Sequence, residues 1–181
     1  MALAFIPSAC SDEARESPDT VAACGIALDY AQRFRTDWEK LGRPIAIRYE
    51  PGLSVPTRQK LEQVLADNPE FEGGPEVAIT LAAADLRDRR VMDECSNLRN
   101  WVQTSGILSD DARIDELTRQ PEWPIAVLSM SLPAVSEDGS TALFYSRKYA
   151  GPLAGALMAV TYKKQASGKW VLHDEEELAI S

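Results

Sequence analysis

Hydrophobic residues recur at three- and four-residue intervals early in the chain, which predicts a long amphipathic helix. The apolar face of this helix is formed by Leu28, Ala31, Phe34, Trp38 and Leu41. A helix-start signal, Ser17 to Asp19 with Pro18 inside it, precedes the periodic residues, and Gly42 and Pro44 follow them. We therefore expect a helix over residues 19 to 41.

The next segments alternate between strand and helix periods. Ile45, Ile47 and Tyr49 recur at every second position, which predicts a half-buried strand. A helix is expected around residues 61 to 65, and it stops at residues 68 to 69. After a Gly-Gly-Pro break, Val77, Ile79 and Leu81 alternate again and predict a second strand.

Short helices and then a β-meander are predicted for the rest of the chain. One helix begins near Ser96, and another spans Asp111 to Arg119. The predicted strands of the meander are Ile125 to Leu132, Thr141 to Tyr149, Leu157 to Lys164 and Trp170 to Ile180. Short turns at residues 136 to 139 and 166 to 168 favour antiparallel pairing of these strands.

These elements predict an α+β fold for a single domain. We expect N-terminal helices with two strands to pack on one face of an antiparallel C-terminal meander. A chain of 181 residues suits one domain, which we place at residues 19–181. Residues 1–18 are expected to be a signal remnant or a disordered N-terminal segment.

The charge balance restricts the partners. With 28 acidic and 19 basic residues the net charge is −9, which repels phosphate backbones and anionic bilayers. Nucleic acid is therefore not expected as a partner. The excess of negative charge serves solubility, or it attracts a basic protein partner.

The N-terminus resembles the end of a bacterial lipoprotein signal. An apolar run leads to Ala9 and Cys10, and the resemblance implies that Cys10 carries a lipid. Pro7 departs from that pattern, and no basic residue precedes the apolar run. We expect a periplasmic or lipid-anchored protein, with a cytoplasmic one as the alternative, and membrane contact only through Cys10. Cys24 and Cys95 then remain as a disulfide candidate or as two buried thiols.

The last third of the chain resembles uncharacterised exported bacterial proteins that end in a Gly-Lys-Trp hairpin. The matching residues include the turn at residues 136–139, Gly151-Pro152-Leu153, Gly155 and the closing run from Gly168 to Val171. A cysteine pair of that pattern is replaced here by Ala150 and Ala154, so no role of the pair carries over. The resemblance implies turn chemistry, with Trp170 packed on the sheet.

His173 is the only histidine, and four acidic residues follow it. As a general base with an Asp or Glu partner it would serve a hydrolase or transferase, although no nucleophile motif accompanies it. Otherwise it is a surface or structural histidine. Scattered cysteines and one histidine give no zinc-ligand spacing, and the sequence predicts no metal and no cofactor.

Two features are candidates for binding. Arg87, Arg89 and Arg90 form a local basic cluster that suits a carboxylate or phosphate, or is simply a solvated face. Trp123, between Glu122 and Pro124, is an exposed anchor for a partner or a plug between helices and sheet. We therefore expect a non-catalytic exported module that binds a protein or a small ligand, with an acidic antagonist or immunity-type protein as a special case.

Overall fold

Six helices and six strands are present in the computed structural model, which describes residues 17–68 and 74–180. The helices are α1 (Pro18–Glu39), α2 (Arg58–Asp67), α3 (Pro75–Asp85), α4 (Val91–Glu94), α5 (Ser96–Thr104) and α6 (Asp111–Thr118). The strands are β1 (Ile45–Ile47), β2 (Ala126–Met130), β3 (Ala134–Val135), β4 (Thr141–Tyr149), β5 (Gly155–Lys164) and β6 (Trp170–Ile180). The α+β class is confirmed.

Helix α1 begins where the sequence indicates. The Ser17 side chain accepts a hydrogen bond of 3.2 Å from the Thr20 backbone N–H. Pro18 follows in the first turn, where the backbone N–H that proline lacks would have no acceptor within the helix. The buried face agrees with the prediction in part, since Ala31 and Phe34 are buried and Leu28 and Trp38 pack against the core. It centres on Ile26, Tyr30 and Phe34, whereas Leu41 follows the helix and is 72% exposed.

The sheet has the order β1-β2-β4-β5-β6, with β3 paired to the far end of β4. Strands β2, β4, β5 and β6 pair antiparallel, as the meander pattern predicts. The β1–β2 pair is parallel, so the segment from α2 to α6 serves as the crossover between them. This crossover places the chain just after β1 beside the end of β4.

Alternate residues of the sheet enter two different cores. On one face Phe144 and Tyr162 pack with Tyr30 of α1, and α4 and α5 extend this core. On the opposite face Tyr145 packs with Ile79 of α3, while α6 covers the β1–β2 end. Helices thus cover parts of both faces, whereas the pattern predicts only one covered face.

The prediction of a strand at Val77 to Leu81 is wrong, because these residues lie inside α3. Pro75 occupies the first turn of this helix, and three consecutive alanines, residues 82 to 84, favour helix over strand. Only Ile79 of the three alternating residues is buried. The strand prediction failed because the segment is too short for a period of two to be told from helical packing.

Two hairpin turns of the meander, β3–β4 and β5–β6, have a glycine in the left-handed region. Gly139 has φ 66° and Gly168 has φ 83°, in the left-handed region that L side chains rarely adopt. In the first turn, Asp138 accepts hydrogen bonds from Ser136 and Ser140, which hold its pKa low, at about 2. The first turn joins β3 to β4 and the second joins β5 to β6, so each contributes to the register of its own strand pair.

A disulfide bond joins Cys24 of α1 to Cys95, the residue between α4 and α5. Both residues are almost completely shielded from solvent, and their sequence separation is 71 residues. The bond therefore links α1 to the helical crossover on one face of the sheet, and it closes a long loop of the unfolded chain.

We expect reduction of this disulfide to lower the free energy of unfolding by about 4 kcal/mol, because a loop of this length gains that much conformational entropy when opened. Guanidinium denaturation with and without reductant measures the difference. The variant Cys24→Ala/Cys95→Ala is the control, since its midpoint should not respond to reductant. An equal midpoint for the oxidised and reduced wild type would contradict the prediction.

Candidate functional site

A recess of about 340 Å³ opens on the sheet face opposite α1, at the end of β4 where the crossover ends. We call it the Trp123 recess. Its wall includes the Pro51-Gly52 turn after β1, and its principal side chains belong to Arg48, Trp123, Ser129, Arg147, Tyr149 and Pro152. Strands β2 and β4 form its floor, and the segment after α6 forms one side.

The register of β2 and β4 places the floor residues. Ser129 is paired with Arg147, and Val127 is paired with Tyr149. Because side chains of a strand alternate between faces, Arg147 and Tyr149 lie on the same side, two residues apart. That side is away from α1, so both residues face the recess.

Tyr149 is the centre of the recess. The guanidinium of Arg147 lies 5.4 Å from the centroid of its ring, and that of Arg48 lies 5.9 Å from it. The ring of Trp123 meets Tyr149 edge to face, with 5.6 Å between centroids. Two cations and a second aromatic ring therefore surround one tyrosine, and cation–π attraction steadies all four side chains.

The charge of Arg48 is compensated within the protein. Its guanidinium donates to Asp115 at 2.5 Å, lies 3.9 Å from Asp111 and donates a further hydrogen bond to the Tyr149 hydroxyl. Burial lowers the pKa of Arg48, but the hydrogen bonds to Asp115 and Tyr149 outweigh burial, so the pKa is raised. Arg48 is thus a fixed part of the wall.

Arg147 has no such partner. It forms no ion pair and donates no hydrogen bond to the residues that the structure describes, although it is half-buried. The carboxylate nearest to the same recess, Glu50, is held by Arg90 at 2.5 Å. The positive charge of Arg147 is therefore uncompensated at the floor of the recess.

Two further polar side chains at the recess form no hydrogen bond with another described side chain or backbone group. The indole N–H of Trp123 is shielded from solvent and has no hydrogen-bond partner among the described residues. Ser129 is 1% exposed, and its hydroxyl enters none of the side-chain hydrogen bonds in the described chain. A buried donor such as the Trp123 indole N–H is usually satisfied, which makes this position unusual.

The predicted binding residues are distributed over two places. Trp123 lies at the recess, where it joins the crossover to the sheet. The basic cluster is neutralised locally, since Arg87 pairs with Asp88 and Arg89 pairs with Glu94. Only Arg90 has a link to the recess, through Glu50.

His173 lies on β6, at a β-bulge. Thr161 pairs with Asp174 and Tyr162 pairs with Leu172, so His173 is the extra residue. Its exposed side chain lines a separate open cavity of about 490 Å³ together with Asp174 and Glu176. It forms no hydrogen bond with a carboxylate or hydroxyl of residues 17–68 and 74–180.

Other predicted features can also be placed. Cys24 and Cys95 form the disulfide described above, and Cys10 lies outside the described residues. Across residues 17–68 and 74–180, no three histidine, cysteine or acidic side chains come together as metal ligands would. None of the described helices combines the length and the apolar character needed to cross a membrane.

A third cavity, between α1 and the sheet, contains a buried hydrogen-bond network. The Tyr30 hydroxyl bonds Ser146 at 2.7 Å and donates to Glu175 at 2.8 Å, and Lys148 pairs with the same carboxylate. Tyr30 is 2% exposed and Ser146 is fully buried. These hydroxyls are therefore out of reach of a ligand, and the network stabilises the contact of α1 with the sheet.

Four residues of the recess escaped prediction, namely Arg48, Ser129, Arg147 and Tyr149. The alternation of Arg147 and Tyr149 on the predicted strand was a usable signal, since it places both on one face. The sequence contained no signal for the parallel crossover that brings Arg48 to Tyr149.

Comparison of the chain with protein-family models, with curated proteins and with solved structures finds no match.

The buried network predicts a loss of stability in alkali. Burial, and to a lesser extent the charge of Glu175, raises the pKa of Tyr30 well above its ordinary value. The unfolded chain loses the proton near pH 10 while the folded chain keeps it, so the free energy of unfolding falls as pH rises above about 10. Each such tyrosine contributes a slope of about 1.4 kcal/mol per pH unit.

Chemical denaturation of wild type and Tyr30→Phe at pH 8 and pH 11 tests this expectation. The variant loses less stability over this interval, because one of the titrating hydroxyls is gone, and Tyr162, whose pKa burial also raises, still contributes. The same decrease in both proteins would show that Tyr30 does not control the alkaline response.

Proposed function

We propose that this protein is a non-catalytic binding module whose ligand site is the Trp123 recess. The observation that carries the proposal is the uncompensated, half-buried guanidinium of Arg147 in a chain of net charge −9. Acidic partners are abundant in this chain, and most other arginines find one, for example Arg33 with Asp29 and Arg58 with Asp85. An anionic group of the ligand would pair with Arg147, which has no acidic partner within the described protein.

The shape of the recess supports a ligand site. Its volume of about 340 Å³ is within the range of small-molecule sites, and it would also accept one side chain of a protein partner. Trp123, Tyr149 and Pro152 supply apolar walls, while Arg147 and Ser129 supply polar groups. A few polar groups among apolar walls is the usual composition of a binding pocket.

We further propose that the protein works outside the cytoplasm. The supporting observation is the Cys24–Cys95 disulfide, because such bonds persist in oxidising compartments. A lipid anchor at Cys10 stays a prediction from the sequence.

The alternative of a hydrolase or transferase has weaker support. His173 has no hydrogen-bonded carboxylate to orient it in the described chain, and Ser136 and Ser140, at the same cavity, donate to Asp138. A general base must lie within hydrogen-bond reach of the proton that it removes, and no described hydroxyl donates a hydrogen bond to His173. The antagonist hypothesis rests on net charge alone, and no specific contact favours it.

A fragment screen by nuclear magnetic resonance tests the proposed site. The ¹⁵N-labelled protein gives indole N–H signals from Trp38, Trp101, Trp123 and Trp170. In a set of neutral, cationic and anionic fragments, we expect the binders to shift the Trp123 signal and to bind at least about tenfold more weakly to Trp123→Leu. The lost ring area and the lost contact with Tyr149 are the physical reason.

Trp38→Leu is the matched control, because Trp38 lies at the cavity beside α1. It should leave fragment affinity unchanged, and thermal unfolding checks that both variants remain folded. Binders that shift only the Trp38 signal, or a complete absence of binders, would contradict the proposal that the recess is the ligand site.

A further inference from the structure

We infer that the ligand of the Trp123 recess presents a single carboxylate next to an apolar or aromatic group. This inference rests on the proposed function and specifies its ligand class. It follows from which hydrogen-bonding groups at the recess are free, from how many charges are uncompensated, and from the walls around them.

Two donors at the recess have no partner in the described chain. The partly accessible one is the guanidinium of Arg147, which can only donate, whereas the indole N–H of Trp123 is shielded from solvent. The acceptors nearby are engaged. Glu50 is paired with Arg90, and the carboxylate of Asp111 accepts backbone N–H groups of Tyr49 and Glu50 at 3.1 and 3.0 Å. A complementary ligand therefore brings oxygen acceptors, and a planar carboxylate fits the fork of a guanidinium.

The number of uncompensated charges at the recess favours a ligand with a single negative charge. Arg48 is compensated by Asp115 and Asp111, which leaves Arg147 as the one uncompensated charge among the described lining residues. A phosphate monoester carries a charge of about −1.5 to −2 at neutral pH, more than this single cation balances. The net charge of −9 adds repulsion against multiply charged anions. A carboxylate matches the local charge without an excess.

The apolar residues that line the recess favour an apolar or aromatic group next to the carboxylate of the ligand. Trp123, Tyr149, Pro51 and Pro152 contribute apolar atoms to the lining. The volume of about 340 Å³ leaves room for an aromatic ring beside the carboxylate. A free carboxylate without an apolar group would leave these walls hydrated and gain less from burial.

The experiment uses three probes of equal ring size, namely benzoate, benzamide and phenyl phosphate. Each is titrated into ¹⁵N-labelled wild type, Arg147→Gln and Arg35→Gln while the Trp123 indole signal is followed. Arg35 is the matched control, because its guanidinium also lies over an aromatic ring, that of Trp101, but is paired with Glu39 on α1.

We expect benzoate to bind wild type and Arg35→Gln at least about tenfold more tightly than benzamide, and this preference to disappear in Arg147→Gln. Equal binding of benzoate and benzamide, or tighter binding of phenyl phosphate, would overturn the inference while leaving the recess as a site. So would benzoate affinity that survives Arg147→Gln, or no benzoate binding up to about 20 mM. The proposed function itself fails only if the wider fragment set also avoids the Trp123 signal.

Discussion

The alternation of side chains along β4 is the constraint on which the rest depends. Since helices pack against both faces of the sheet, each residue of β4 is committed to one face by its position. Lys148 faces α1 and reaches Glu175, whereas Arg147, one residue earlier, faces the other way. Glu175 of β6, which neutralises Lys148, is therefore separated from Arg147 by the sheet itself. The strand neighbours of Arg147 are Ser129 and Leu157, which carry no charge.

Local patterns predicted the elements that are long and regular. The bounds of β4 and β6 follow from alternation and turn glycines, and α1 follows from its start signal at Ser17 and from its three- and four-residue spacing. The failure at Val77 to Leu81 came from a run of five residues, in which three apolar positions fit either period. The recess was only partly predictable. Its contact between Arg48 and Tyr149 joins residues 101 positions apart through a parallel crossover that no local pattern encodes.

The contacts that stabilise α1 and the residues of the candidate site lie on opposite faces of the sheet. The disulfide and the Tyr30 network lie on the α1 face, where they fix the first helix to the crossover and the sheet. The Trp123 recess lies on the opposite face and depends on β1, β2, β4 and the segment after α6. Substitutions at the recess therefore remove few core contacts of α1. Their effects on stability should add to those of substitutions on the α1 face, because the two sets of residues share few partners. Binding at the recess can be changed while the α1 core stays intact.

An unpaired arginine is more informative in this protein than a lone histidine. The side chain of His173, at its bulge, is exposed and solvated, so it requires no partner within the protein. A half-buried guanidinium has five N–H donors and cannot lose its charge, so leaving it without an acceptor costs free energy. The acidic surface does not relieve this cost, since charges farther away than about 8–10 Å are largely screened by salt. An acceptor that enters the recess, water or a ligand, relieves this cost, so Arg147, and not the acidic run after His173, is the basis of the binding site proposed above.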